Sequence, residues 1–194
     1  MDSLGSSSLE RRAPMRGLTF IAPMGQAVVA RLDNTRGGVA DHPLRKSIDN
    51  RPKPLPKKMR GQSTIVAVHC GLKWDVNYAK TCRNILGDDL DYDRAANEGG
   101  KIIGLMRLSG RQFVEAPFEP VEWALFAGVN PWYGGPFGYE ISEAVAFQEP
   151  ILCRGNRGWW PVPADVLDQV HAEMGHVAPH WAGFLWRLPG LGTS

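Results

Sequence analysis

The sequence predicts an α+β protein: one small mixed β-barrel flanked by short helices, with a long basic loop and a C-terminal extension that is first helical and then irregular. Three observations lead there. Short apolar or β-branched runs recur along the chain, segments with helical apolar spacing lie between them, and 22 Gly and 15 Pro residues in 194 supply more turns than ordinary usage. A hydrophobic fraction of 43% and a charged fraction of 22% are those of a globular chain, and this length suffices for one buried core. The expected organisation is a flexible arm or cloning remnant over residues 1–14, one domain over 15–163, and a helix with an aromatic tail over 164–194, packed on that domain.

Each element has its own warrant. The first residues carry a Gly5-Ser6-Ser7-Ser8 run and no periodic apolar pattern. Leu18-Thr19-Phe20-Ile21 is a strand, and residues 26–32 place Ala27, Val28, Val29 and Leu32 on one helical face. Residues 33–61 are rich in Gly, Pro and charge with little apolar period, so a mostly irregular segment is expected, and ordered loops of that length are commonly functional. Ser63-Thr64-Ile65-Val66-Ala67-Val68-His69 is a buried central strand, followed by a helix over 75–86 with Val76, Ala79, Ile85 and Leu86 at helical spacing. A turn over 88–100 leads into a strand over 101–108, apolar enough to be covered on both faces. Residues 139–147 alternate as a strand, a tight Arg154-Gly155-Asn156-Arg157-Gly158 turn precedes Trp159-Trp160, and Val166, Leu167 and Val170 mark a helix starting after Pro163.

Composition excludes several classes. Cys70, Cys82 and Cys153 form no C-x-x-C pair, so neither a disulfide framework nor a zinc knuckle is expected, and reduced thiols suit a cytoplasmic location. No apolar run approaches the roughly 20 residues of a membrane span, and the N-terminal stretch lacks the apolar centre of a secretory signal. No cofactor and no membrane partner are expected. With a formal net charge of only +2, a polyanionic partner must be argued from where the charges lie.

They lie together. Arg45, Lys46, Arg51, Lys53, Lys57, Lys58 and Arg60 are opposed within their span only by Asp49. Pro52, Pro54 and Pro56 prevent a helix there and hold the cations in extended geometry, which suits tracking a phosphate backbone. A charge run taken alone is an ordinary solvated surface. Aromatic residues shift that balance: Trp132, Tyr133, Phe137 and Tyr139 occupy a Gly-Pro-rich segment, and Trp159-Trp160 follow a turn bearing Arg154 and Arg157. Cations beside aromatics are what a single-strand or flipped-base site needs, and since neighbouring strand residues alternate sides, one of Trp159 and Trp160 must face the core.

The same residues carry a resemblance. Lys46-Ser47-Ile48-Asp49-Asn50-Arg51-Pro52, then Arg60-Gly61, then a strand ending Val68-His69 resemble the opening of ASCH domains, whose pattern there is roughly Lys-x-x-Glu-x-Arg. Residues 130–139 and 154–163 resemble that family's closing strands and terminal Gly-x-Trp. The resemblance implies a PUA-like barrel whose cleft, lined by the Lys-x-x-acid-x-Arg segment, binds RNA, another single-stranded nucleic acid or a nucleotide-like small molecule. Carried onto this chain, the contacts are Lys46, Asn50, Arg51, Lys53, Lys57, Lys58 and Arg60 of the basic segment, Trp132 and Tyr133, and Arg154, Arg157 and Trp159. The chain departs from the family at Ala22-Pro23-Met24, where Gln-Pro-Trp is usual, and by an insertion over 33–44.

Some ASCH relatives are amidohydrolases on acetylated cytidine, or ribonucleases, and the resemblance then implies catalytic Lys46 and Asp49 as the alternative reading. A lysine of depressed pKa acts as a base or activates a nucleophile. Asp49 stands where that pattern has Thr, and Glu140 and Glu143 are the candidates for its distant acid. Other constellations are weaker. His171, His176 and His180 with Glu173 lack metal-ligand spacing, Asp88, Asp89, Asp91 and Asp93 lack the Gly and Glu of a calcium loop, and His69 and Cys70 should point to opposite faces of a strand. A protein-contact role is the remaining alternative, through Trp181, Phe184, Trp186 and Leu188 of the tail.

Overall fold

In the computed structural model, described over residues 14–114, 124–126 and 130–176, the architecture is α+β. The arm over residues 1–13 and the aromatic tail over 177–194, with its expected contact role and His180, lie outside the described residues. Strand β1 (Arg16–Ala22) runs parallel to β4 (Thr64–Trp74), which is antiparallel to β5 (Lys101–Val114), itself antiparallel to β7 (Phe137–Leu152). Short strands complete one sheet: β8 (Trp159–Pro161) on β1, β2 (Gly38–Val39) and β3 (Ile48–Arg51) on β7, and β6 (Ala124–Phe126) on β5.

The two-residue period of β4 divides the core. Ile65 and Ala67 enter one apolar cluster, while Val66, Val68 and Cys70 enter another on the opposite face, as a strand covered on both sides requires. Helix α4 (Ala164–Gly175) covers the first face with Val166, Val170 and Met174, one turn apart. Helix α1 (Met24–Val28) and Leu55 and Met59 of the proline-rich segment cover the second. A smaller third cluster joins Ala27, Ile48 and Trp132 to Cys82 and Leu86 of α2 (Val76–Leu86), whose N-terminus is capped by Asp75.

The expected closed barrel is not formed. The strand order β2-β7-β5-β4-β1-β8 ends in strands of two and three residues that do not meet, whereas closure needs a hydrogen-bonded seam. Register shifts within the β5–β7 pair bend the sheet, and Leu55 and Met59 pack into the second apolar cluster.

Two local expectations also change, and a third gains detail. The helix expected over 26–32 is the five-residue α1, because beyond it carboxylates capture the backbone donors: Asp41 Oδ1 accepts from Leu32 N at 3.0 Å and Asp33 Oδ1 from Thr35 N at 3.1 Å. The segment 33–61 is mostly irregular, as expected, and within it β7 supplies pairing partners that make the short strands β2 and β3, with Asp49 opposite Tyr139. Within the expected turn over 88–100 lies helix α3 (Tyr92–Asn97), capped by Asp91 through Arg94 N at 2.8 Å.

Candidate functional site

A cleft opens where the start of β3 meets α1, α2 and the 130–136 segment, and Lys46, Asp49 and Arg51 converge in it. Backbone bonds fix its floor: Lys46 N donates to Ala27 O at 2.8 Å, and Ile141 N to Ser47 O at 2.8 Å. Arg45 turns away, its guanidinium donating to Ser142 O at 2.7 Å. Along β3 the side chains alternate. Ile48 enters the third apolar cluster, while Asp49 and Arg51 share the other face and pair at 2.7 Å, Nε to Oδ2, with the guanidinium 5.8 Å from the Phe20 ring. Asp49 Oδ1 has no hydrogen bond among the described residues.

Lys46 is the unusual group. Its side chain is 3% exposed, its Nζ sits 5.3 Å from the centre of the Trp132 ring, and among the described residues it has no hydrogen-bond acceptor and no carboxylate within ion-pair distance. Burial lowers its pKa to about 8, with Asp49 opposing that shift. A lysine buried this deeply with no acceptor among the described residues costs stability, which marks a position kept for something other than folding.

The walls are more rigid than the sequence suggests. Trp132 is 4% exposed and donates its indole N–H to Leu44 O at 2.9 Å, so it backs Lys46 instead of offering a free stacking face. Asn50 is likewise occupied, donating to Trp132 O at 2.7 Å and accepting from Gly134 N at 3.1 Å; it clamps the wall. Tyr133 is half-buried and Tyr78, on α2, is exposed across the cleft. The cavity beside these residues measures about 450 Å³ and continues into one of about 170 Å³ floored by Lys46, Asp49 and Arg51 and bordered by Thr19. Sequence reasoning missed Tyr78 and Thr81, although an aromatic residue off the apolar face of α2 was a usable signal.

The remaining expected contacts lie elsewhere. Lys53, Lys57 and Lys58 are exposed, and Arg60 braces the loop by donating to Leu55 O at 3.0 Å. Lys58 lines a separate groove of about 380 Å³ with Arg16, Pro56, Met59 and Trp159. Trp160 faces the core and Trp159 the groove, stacked on Tyr139 at 6.3 Å between ring centres. Arg154 and Arg157 are exposed on the turn before β8, which is tied to the cleft border by Thr19 Oγ1 donating to Asn156 O at 2.8 Å.

Neither candidate for a third acidic group reaches the cleft. Glu140 accepts from Ser109 Oγ at 2.5 Å and Glu143 pairs with Arg107 at 3.3 Å, both along the β5–β7 pair. His69 and Cys70 do alternate: His69 donates its Nε2–H to Cys153 O, 3.0 Å away, beside the Trp160 edge, while Cys70 belongs to the opposite core and its burial raises its pKa. The sequence matches no family model and no curated protein.

Proposed function

We propose that the Lys46 cleft binds a nucleotide-like base, free or within a single RNA strand. The observation that carries this reading is Lys46, a buried side chain whose ammonium has no acceptor among the described residues and lies on the floor of an open cavity. Beside it Asp49, held by Arg51, keeps one carboxylate oxygen without a hydrogen bond among the described residues. A donor next to an acceptor complements the edge of a base, which carries both kinds of group. Tyr133 and Tyr78 offer aromatic surface on the walls, and the exposed cations of the 53–58 segment and the 154–157 turn favour the phosphates. The resemblance of residues 46–52, 130–139 and 154–163 to ASCH domains, and with it a PUA-like assignment of the bent sheet, points the same way.

Titrating the four ribonucleoside 5′-monophosphates and a short single-stranded RNA at low salt tests it. Lys46→Arg retains binding within about tenfold, roughly 1.4 kcal/mol, whereas Lys46→Met, which removes the donor, weakens it beyond that. Absence of binding at low salt, or equal affinity in Lys46→Met, ends this reading.

One observation favours a catalytic alternative, an amidohydrolase on acetylated cytidine or a ribonuclease: a lysine with its pKa near 8 is within reach of acting as a base. The engagement of Glu140 and Glu143 away from the cleft leaves Asp49 as its only acid there among the described residues, which places this reading second. Hydrolysis of acetylated cytidine that disappears in Lys46→Arg and Asp49→Ala would reverse the order.

A further inference from the structure

We propose that the groove beside Trp159 is a second subsite for the same strand, so that the ligand of this protein is a single-stranded oligonucleotide rather than a free nucleotide. The inference rests on the base-binding reading of the Lys46 cleft and adds a site that none of the cleft's own residues form.

The groove is built as a stacking platform. Trp159 is half-buried on β8, at one edge of the sheet, and lies nearly parallel to Tyr139 at an interplanar angle of 22°. Tyr139 is itself fixed, its hydroxyl donating to Lys53 O at 3.0 Å and within 3.3 Å of Pro54 O. The indole therefore has a rigid backing and one face toward a cavity of about 380 Å³. Pro56 and Met59 form the apolar part of that cavity, Arg16 and Lys58 its charged part, Thr64 completes it, and no carboxylate lines it among the described residues. Lys57 is exposed next to Lys58, and Arg157 is exposed two residues before Trp159. An aromatic face whose described charged neighbours are all cations is complementary to a base with its phosphates, since every base has a π-face and the cations neutralise the backbone.

The two sites are connected by one short stretch of chain. Arg51 and Pro52 border the cleft and Pro56 borders the groove. Four residue steps reach at most about 14 Å. At the roughly 3.4 Å rise of a stacked strand, about four nucleotides cover that distance. The prolines between them leave few backbone donors to compete for the phosphates.

The test compares the four ribonucleoside 5′-monophosphates with a fluorescein-labelled octauridylate at low salt, each against the parent and against Trp159→Ala, Lys58→Glu and Lys46→Met. Expected results are an octamer that binds at least tenfold more tightly than any mononucleotide, a loss of octamer affinity of roughly five- to hundredfold in Trp159→Ala, and unchanged mononucleotide affinity in that variant. Lys58→Glu, a surface change that cannot unfold the protein, lowers the slope of log affinity against log salt for the octamer by about one. The inference is overturned if the octamer binds no better than a mononucleotide, or if Trp159→Ala and Lys58→Glu leave octamer affinity unchanged while Lys46→Met still weakens mononucleotides, in which case the cleft reading stands alone. Octamer affinity that falls in Lys58→Glu but is indifferent to Lys46→Met overturns the cleft reading and the shared strand with it.

Discussion

Arg45, Lys46 and Arg51 are held in place by the fold, the first by β7 carbonyls, the second against Trp132 and the third by Asp49, whereas Lys53, Lys57 and Lys58, a few residues on in the same charge run, are exposed. In sequence the two halves are one feature; in the structure they obey different physics. Cations of the first half are desolvated and each owes its state to particular neighbours, so substitutions there act on folding as well as on binding. Cations of the second half remain in high dielectric, where charge is screened and costs the fold little.

Substitution separates the halves most sharply at Asp49. Asp49→Ala leaves the Arg51 guanidinium over Phe20 without its counter-charge, and breaking a buried pair from one side costs on the order of 3–5 kcal/mol. Urea denaturation reads this as a large drop in midpoint; a midpoint within experimental error of the parent would place Arg51 with the screened cations after all.

The next effect is that of pH on Lys46. The unfolded chain keeps this lysine protonated up to its ordinary pKa of 10.5, while the folded cleft releases the proton near 8. Between those values the unfolded state binds more protons, so stability rises with pH, by roughly 3 kcal/mol over the whole window, and below pH 8 the full penalty remains. The parent minus Lys46→Met difference in unfolding free energy, followed from pH 7 to 10.5, should show this rise. A flat difference would mean that the ammonium is not desolvated. At pH 7 Lys46→Met should also be the more stable protein, the pattern of a residue kept for binding at the expense of the fold.

The smallest effect on folding belongs to the second half. Lys57→Glu combined with Lys58→Glu should change unfolding free energy by less than about 0.5 kcal/mol and yet weaken binding of single-stranded RNA in a salt-dependent way. A cooperative loss of stability in this double variant would erase the distinction between the halves.

Much of this was legible in the sequence, for identifiable reasons. Strands such as β4 and β5 announce themselves because a strand covered on both faces must be apolar throughout, and α4 does so because Val166, Leu167 and Val170 stand at helical spacing after Pro163. The Lys46-Asp49-Arg51 set was legible as a motif, and its convergence follows from the alternation of β3. What stayed hidden depends on distant partners. Nothing near Ile48 to Arg51 shows that β7 will pair with it, nothing near Asp91 distinguishes a helix cap from an acidic turn, and the openness of the sheet is a matter of which edges meet. Trp132 looked available for stacking because its neighbours are Gly and Pro, but its burial is set by Leu44, Asn50 and Lys46, all far away in the chain.

The parallel pairing of β1 with β4 bears on how the site lives in time. Parallel neighbours cannot be joined by a hairpin, so the chain leaving β1 makes a long excursion before it returns as β4, and Lys46, Asp49 and Arg51 all ride on it. That excursion is moored by the two- and four-residue strands β2 and β3, by the Ala40 to Ala144 and Ile141 to Ser47 backbone bonds, and by side-chain contacts. These moorings are few beside the 14- and 16-residue strands of the central pair, so the floor of the cleft can part from β7 while the sheet stays whole. The cleft thus has a clock of its own, set by local detachment and not by global unfolding. A ligand spanning the floor and the walls holds the excursion shut, so its residence time and the lifetime of the β3–β7 bonds become one quantity.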